Sequence, residues 1–166
     1  MKKTRHRNIV RLFEYFETSK HILFIIEVCA GGDLLSYVRK RRSLKEDVAK
    51  SIFKQLINGL AYCHSKSILH RDIKLDNILL SATGEVKICD FGVSKVVQRG
   101  EVMNEQCGTP AYIAPEILKD KGYEGFTVDI WSSGVVLYAM LYGVVPFRPN
   151  DMSELQRLII NAEYKL

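Results

Sequence analysis

The sequence predicts an α+β chain that is mainly helical, with a small sheet at its start. Three observations carry this. Two β-rich runs, IVRLFEYFE (Ile9 to Glu17) and HILFIIEV (His21 to Val28), open the chain. A long amphipathic stretch then places Val48, Ile52, Phe53, Leu56, Ile57 and Leu60 on one helical face. The most apolar run, Ile130 to Val145, contains Ser132, Ser133 and two glycines and reads as a helix buried in protein.

The elements follow in order. Ile9 to Glu17 alternates imperfectly, as a strand does. His21 to Val28 is almost continuously apolar and expects cover on both faces. Two strands alone make a marginal sheet, and nothing upstream can cover the second. The chain therefore reads as cut from something larger, with Met1 inside a helix that began earlier. After a break at Ala30, Gly31 and Gly32, Asp33 is placed to cap a short helix reaching about Arg41. Ser43 to Glu46 (SLKE) reads as a capping box opening the long helix. Ile78 to Leu80, a turn at Thr83 and Gly84, and Glu85 to Cys89 read as a small hairpin. Asp90 to Glu116 is irregular. A buried helix near Thr127 to Tyr142 follows, and another begins near Asp151.

Composition narrows the function classes. A chain of 166 residues is long enough for one domain with a real core. The net charge of +5 suits polyanionic partners such as nucleotides. The basic stretches, Arg39 to Ser43 and KKTRHR near the start, are short and helix-associated. No aromatic-interleaved basic motif points to nucleic acid. Cys29, Cys63, Cys89 and Cys107 lie far apart without a CxxC, as expected of reduced thiols in an intracellular, cytoplasmic setting rather than of a disulfide or zinc framework. The run at Ile130 to Val145 falls short of the ~20 residues a membrane span needs, so none is expected.

The octet HRDIKLDN, His70 to Asn77, fits neither a helical nor a strand period. The hairpin after it delivers Asp90 in CDFG, and a hairpin brings the two ends of its connection close. Asp72, Asn77 and Asp90 could therefore converge on one cleft. Their oxygens suit a hard cation such as Mg²⁺, which keeps waters and substrate phosphates as further ligands. Lys74 could neutralise a phosphoryl group in transit, and Asp72 could accept a hydroxyl proton. A lone HRD would read as a polar loop whose charges cap nearby elements. HRDxKxxN, then DFG, then GTPxYxAPE in that order is far harder to obtain by chance.

On these motifs the whole chain resembles the eukaryotic protein kinases. The resemblance implies a protein-kinase-like fold: mainly the helical C-terminal lobe, with a remnant of the N-lobe sheet. It implies Asp72 as the residue that orients and deprotonates the substrate hydroxyl, Lys74 on the γ-phosphate, and Asn77 and Asp90 as Mg²⁺ ligands. FIIEVCAGGD resembles the hinge between lobes, with Ile26 as gatekeeper and the backbone of Glu27 and Cys29 facing adenine. Asp33 would meet the ribose and Leu79 would floor the adenine pocket. Asp129 resembles the buried-helix aspartate that braces the catalytic loop. Lys74, and Thr109 in GTPAYIAPE, imply the serine/threonine type, with ATP as cofactor and protein Ser/Thr hydroxyls as substrate. The hinge and AGGDLLSYV resemble the calmodulin-dependent and AMP-activated branch.

The chain departs from the family pattern in three places. No GxGxxG and no VAIK-type lysine precedes the hinge, and Glu116 has no arginine partner of the kind relatives supply further on. Residues 1–28 would be an N-lobe remnant holding the end of helix C and two strands. Residues 29–166 would be the hinge and a C-lobe incomplete at its end. Where many relatives carry a phosphorylatable Thr or Ser, four residues before Thr109, this chain has Glu105, which could pair with Arg71. Two readings follow. One is a kinase whose activity resides in a longer chain. The other is a non-catalytic remnant acting as a scaffold, with a protein partner covering the exposed N-lobe strands.

Overall fold

The computed structural model describes residues 4–98, 100–119, 121–149 and 151–165. The expected helix end at Met1 lies outside the described residues. The first element is an antiparallel hairpin of β1 (Leu12–Glu17) and β2 (Ile22–Ile26), joined through Thr18, whose N–H and hydroxyl both donate to the His21 carbonyl.

The strand expected from Ile9 starts later, because Ile9 and Val10 have another task. Val10 N–H donates to the Ile88 carbonyl and Ile88 N–H to the Asn8 carbonyl, both at 2.9 Å. This joins the start of the chain to a distant strand and buries Ile9 and Val10.

The cover expected on both faces of His21 to Val28 is absent among the described residues. Every residue of β2 is between 45% and 61% exposed. An apolar run of this kind predicts burial only where a second layer exists to supply it.

The rest is built around helices. β3 (Gly32–Asp33) leads into α1 (Leu34–Arg41), and Asp33 caps it by accepting from Ser36 N–H at 2.7 Å. The long helix α2 (Glu46–Ser65) lacks the capping box expected at Ser43: its N-cap is Lys45, without a side-chain bond. Leu44 N–H instead donates to the Met140 carbonyl at 2.8 Å, so tertiary pairing takes the stretch that would have formed the box. Glu46 and Asp47 in the first turn still favour the positive end of the helix dipole. Beyond α2 come β4 (Ile68–Leu69), a single helical turn at Leu75–Asn77, and the hairpin β5 (Ile78–Leu80) with β6 (Val86–Ile88). β3, β5 and β6 form a three-stranded sheet.

The stretch expected to be irregular contains very short pieces: β7 (Lys95–Val96), β8 (Val102–Met103), a turn at Pro110–Tyr112, and α3 (Pro115–Leu118). β7 pairs with β4, and β8 with β9 (Tyr123–Glu124). Two residues display no period, so the sequence could not announce them.

Next come α4 (Phe126–Tyr142) and α5 (Met152–Ile160), the latter starting where expected and capped by Asp151. The main core joins Leu56 and Leu60 of α2 with Val136 and Met140 of α4, and with Ile73, Ile78 and Ile88. α4 is buried along one side only. Its other side, including Ile130, Trp131, Leu137 and Leu141, lines an open groove of about 680 Å³. Among the described residues no helix is long and apolar enough to cross a membrane.

Candidate active site

β4 delivers the chain to His70, which is fully buried. Its ring packs on Phe91, with centroids 4.8 Å apart, and its Nε2 meets the Cys89 carbonyl at 2.9 Å. Burial pushes the imidazole below its ordinary value, toward the neutral form. The loop backbone hangs on Asp129, 1% exposed in the first turn of α4. One carboxylate oxygen accepts from His70 N–H at 3.0 Å and from His64 Nε2 at 2.8 Å; the other accepts from Arg71 N–H at 2.9 Å. Arg71 is thereby held at φ +69°, a left-handed conformation uncommon outside glycine.

The next residue is the hub. Asp72 Oδ1 accepts from the Thr109 hydroxyl at 2.8 Å, and Oδ2 pairs with Lys74 Nζ at 2.9 Å. Lys74 Nζ also donates to Thr109 Oγ1 at 2.9 Å, closing a triangle. Asn77 Nδ2 donates to the Asp72 carbonyl at 2.9 Å and to Oδ2 at 3.0 Å. Both protons of that amide go to Asp72, so the group Asn77 has left to offer is its carbonyl oxygen. Burial raises the Asp72 carboxyl, but Lys74, Thr109 and Asn77 outweigh it and hold it below its ordinary value.

The β5–β6 hairpin sets Asp90 beside this hub. Cys89 N–H donates to the Asn77 carbonyl at 3.0 Å, which places Asp90 just beyond Asn77 across the ladder. Asp90 is exposed, at φ +57°, and accepts from Gly92 N–H at 3.2 Å. No side-chain hydrogen bond joins it to Asp72 or Asn77 among the described residues.

On the same sheet Asp33, Leu79 and Lys87 form one rung, because Leu79 pairs with Asp33 on one side and Lys87 on the other. Val86 and Ile88 face the core, so Lys87 takes the opposite face and reaches Glu27 at 2.6 Å. Glu27 also accepts from Arg11 N–H at 3.1 Å. Burial raises the Glu27 carboxyl, yet Lys87 and Arg11 hold it below its ordinary value. Burial pushes the Cys89 thiol up to about 11, and Asp90, Cys29 and Asp33 add to the rise.

A second ion cluster lies behind Asp72. Arg71 donates from Nε to the Val93 carbonyl at 2.6 Å and from Nη1 to Glu105 Oε2 at 2.5 Å. Lys95 Nζ stands 3.2 Å from Glu101 and 3.6 Å from Glu105. The expected pairing of Glu105 with Arg71 is present.

A family profile described as protein kinase domain matches residues 1–165. The chain belongs to the protein kinase family. Among its curated relatives, CBL-interacting protein kinase 31 of Oryza sativa subsp. japonica is 41% identical over 167 residues, covering 99% of this chain and 37% of that protein. CBL-interacting serine/threonine-protein kinase 5 of Arabidopsis thaliana is 46% identical over 169 residues, covering 99% of this chain and 38% of that protein. CBL-interacting protein kinase 8 of Oryza sativa subsp. japonica is 45% identical. The branch expected from the hinge sequence is the one these relatives represent. The kinase chain described here spans less than two-fifths of the length of each.

Within this kinase chain, the expected residues Asp72, Lys74 and Asn77 are in direct contact, and Asp90 adjoins them through the Asn77–Cys89 backbone bond. Asp33, Leu79 and Glu27 gather around Lys87, while Ile26 and Cys29 stand at the exposed end of β2 and just after it. Sequence reasoning missed Lys87; the signal was a lysine between two strand residues that face the core. It also gave Thr109 no contact with Asp72 and overlooked Lys95. For Glu116, the Thr127 hydroxyl donates to it at 3.1 Å.

Asn77 and Asp90 offer only oxygen donors, the set a hard cation takes. Among the described residues no group of three or more His, Cys, Asp or Glu side chains could hold a metal. Mg²⁺ is a cation that needs few protein ligands, since it draws the others from water and phosphate.

Proposed function

We propose that this chain carries the catalytic loop and activation segment of an ATP-dependent serine/threonine protein kinase that transfers the γ-phosphate to Ser or Thr hydroxyls of proteins. The observation that supports this best is the Asp72–Lys74–Thr109 triangle with Asn77 bonded to its acidic corner. Asp72 accepts the hydrogen bond of the incoming hydroxyl and takes its proton, a step worth about 10²–10⁴-fold. Lys74 places a positive charge beside the phosphoryl oxygens. Mg²⁺-bound ATP supplies the phosphoryl group, with Asn77 and Asp90 as the residues that hold the ion. Ile26, the backbone of Glu27 and Cys29, Asp33 and Leu79 form the nucleotide side. Residues 1–28 then belong to the N-lobe and 29–166 to the hinge and C-lobe. The four cysteines are free, which supports an intracellular setting.

The test is phosphate transfer by the full-length protein from radiolabelled ATP to a Ser/Thr peptide. Asp72→Asn lowers kcat by about 10²–10⁴-fold. No transfer by the parent, or an unchanged rate in the variant, overturns the reading. The isolated 166-residue chain has neither a glycine-rich loop nor a VAIK-type lysine. Since one preorganised contact is worth about 10²–10³-fold, its turnover falls at least that far below the full-length protein.

The exposed apolar residues of β2 favour a second reading, a scaffold whose partner covers them. A scaffold would transfer no phosphate even at full length and would keep its partner after Asp72→Asn.

A further inference from the structure

We propose that Lys87 is a positioning residue for the nucleotide: through Glu27 it fastens the adenine-facing stretch after β2 to the small sheet that carries the pocket floor. This rests on the kinase reading above and adds to its nucleotide side a residue that acts without touching the nucleotide.

The stretch from Glu27 to Gly31 is a strap held at both ends by one sheet. At its far end Gly31 N–H donates to the Leu80 carbonyl of β5 at 2.9 Å. A Cβ on Gly31 would stand 2.7 Å from the Ser81 carbonyl, so the strap lies directly on the strand there. At its near end the fastener is ionic: Lys87 Nζ, from β6, meets Glu27 Oε1 at 2.6 Å. Between the two fasteners Val28 is exposed and Cys29 turns the strap, its carbonyl accepting from Gly32 N–H at 3.2 Å. Leu79, the floor in the kinase reading, pairs with Lys87 in the β5–β6 ladder. The height of the strap over Leu79 is therefore set by how Lys87 holds Glu27.

Charge and burial make this fastener specific. Lys87 is 8% exposed, and an ammonium so enclosed requires a counter-charge. Among the described residues Glu27 is the carboxylate that supplies it. Glu27 is held from the other side as well. Its Oε2 accepts from Arg11 N–H at 3.1 Å, and its own N–H donates to the Arg11 carbonyl at 2.9 Å. Side chain and backbone of one residue are thereby both fixed, and the backbone groups that follow take their direction from it. The pair itself lies away from the floor. With Ile9, Arg11 and Phe13 it lines a cavity of about 320 Å³ whose walls include neither Leu79 nor Asp33. Lys87 thus acts on the nucleotide through the strap and not by contact.

The experiment uses the full-length protein as parent, Lys87→Met, Lys87→Arg and Glu27→Gln. Affinities for ADP and for adenosine are read by calorimetry, and kcat and KM by phosphate transfer to a Ser/Thr peptide. Lys87→Met weakens ADP and adenosine by the same factor, about 5–10-fold, the scale of one lost hydrogen bond. Equal factors place the loss on the base side, since adenosine carries no phosphate. KM for ATP rises by a similar factor while kcat and the peptide KM stay within about twofold, the pattern of lost uniform binding. Glu27→Gln does the same, and the double variant Glu27→Gln with Lys87→Met is no weaker than either single one. Lys87→Arg, which keeps the charge, recovers most of the affinity. Should Lys87→Met not fold, Glu27→Gln, whose side chain is 27% exposed in the parent, carries the same comparison. A lysine that served stability alone would lower the melting temperature and leave the ADP affinity of the folded protein unchanged; that result overturns the proposal. So does a loss in kcat with KM for ATP unmoved. If the parent binds ADP but transfers no phosphate, the kinase reading fails by itself, and the affinity comparison still decides the strap.

Discussion

Asp129 shows how much a single side chain can carry. It meets two backbone N–H groups and one imidazole from inside a helix, where a bare carboxylate would be costly. Asp129→Ala orphans both N–H groups, at roughly 1–3 kcal/mol each. The variant is expected to melt at lower temperature in a thermal denaturation scan, and the amides of His70 and Arg71 to exchange faster in its folded fraction as Arg71 is released from φ +69°. A melting temperature equal to the parent's would show that the loop holds its shape by other means. At this scale the sequence was readable wherever a motif fixed both partners: Asp72 with Asn77, and Asp129 with the loop. It was silent for Lys87 and Lys95. A lone lysine says nothing about an acid placed far away by the fold, and Glu27 reaches Lys87 only because β2 and β6 end near one another.

Among the elements, α1, α4, α5 and the β5–β6 hairpin were legible because each has a period, a cap or a turn of its own. The paired two-residue strands were not, since their existence is decided by partners remote in sequence. The expected box at Ser43 failed for a related reason: Leu44 bonds to the end of α4. That junction is tight. Gly143 ends α4 at φ +73°, and a Cβ on it would sit 1.8 Å from the Arg42 carbonyl. Gly143→Ala combines a left-handed backbone, itself costing about 1–2 kcal/mol, with a backbone collision. It lowers the midpoint of chemical denaturation by more than Gly134→Ala does, where a Cβ meets nothing. Equal midpoints for the two variants would show that the Arg42 turn can move aside.

The whole molecule has two apolar surfaces without cover among the described residues: the β1–β2 hairpin and the outer side of α4. An exposed, two-stranded apolar sheet is a pairing hazard. The isolated 166-residue chain is expected to self-associate in a sedimentation experiment, and Leu23→Lys with Ile25→Lys to reduce that association with little change in melting temperature. A parent that sediments as a monomer would remove the hairpin as an adhesive face. The division into a helical body and a small sheet was legible as a whole. The exposure was harder to see, because a sequence shows which residues seek burial and not whether anything arrives to bury them.

One anchorage binds chemistry to melting. The aspartate that shapes the reactive loop sits in the opening turn of α4, whose later turns form the centre of the core. Collapse of the protein interior therefore takes the loop's anchor with it. Warmed slowly, the molecule should not keep an ordered loop once its interior has melted: loop order is expected to be gone by the temperature at which compactness is lost.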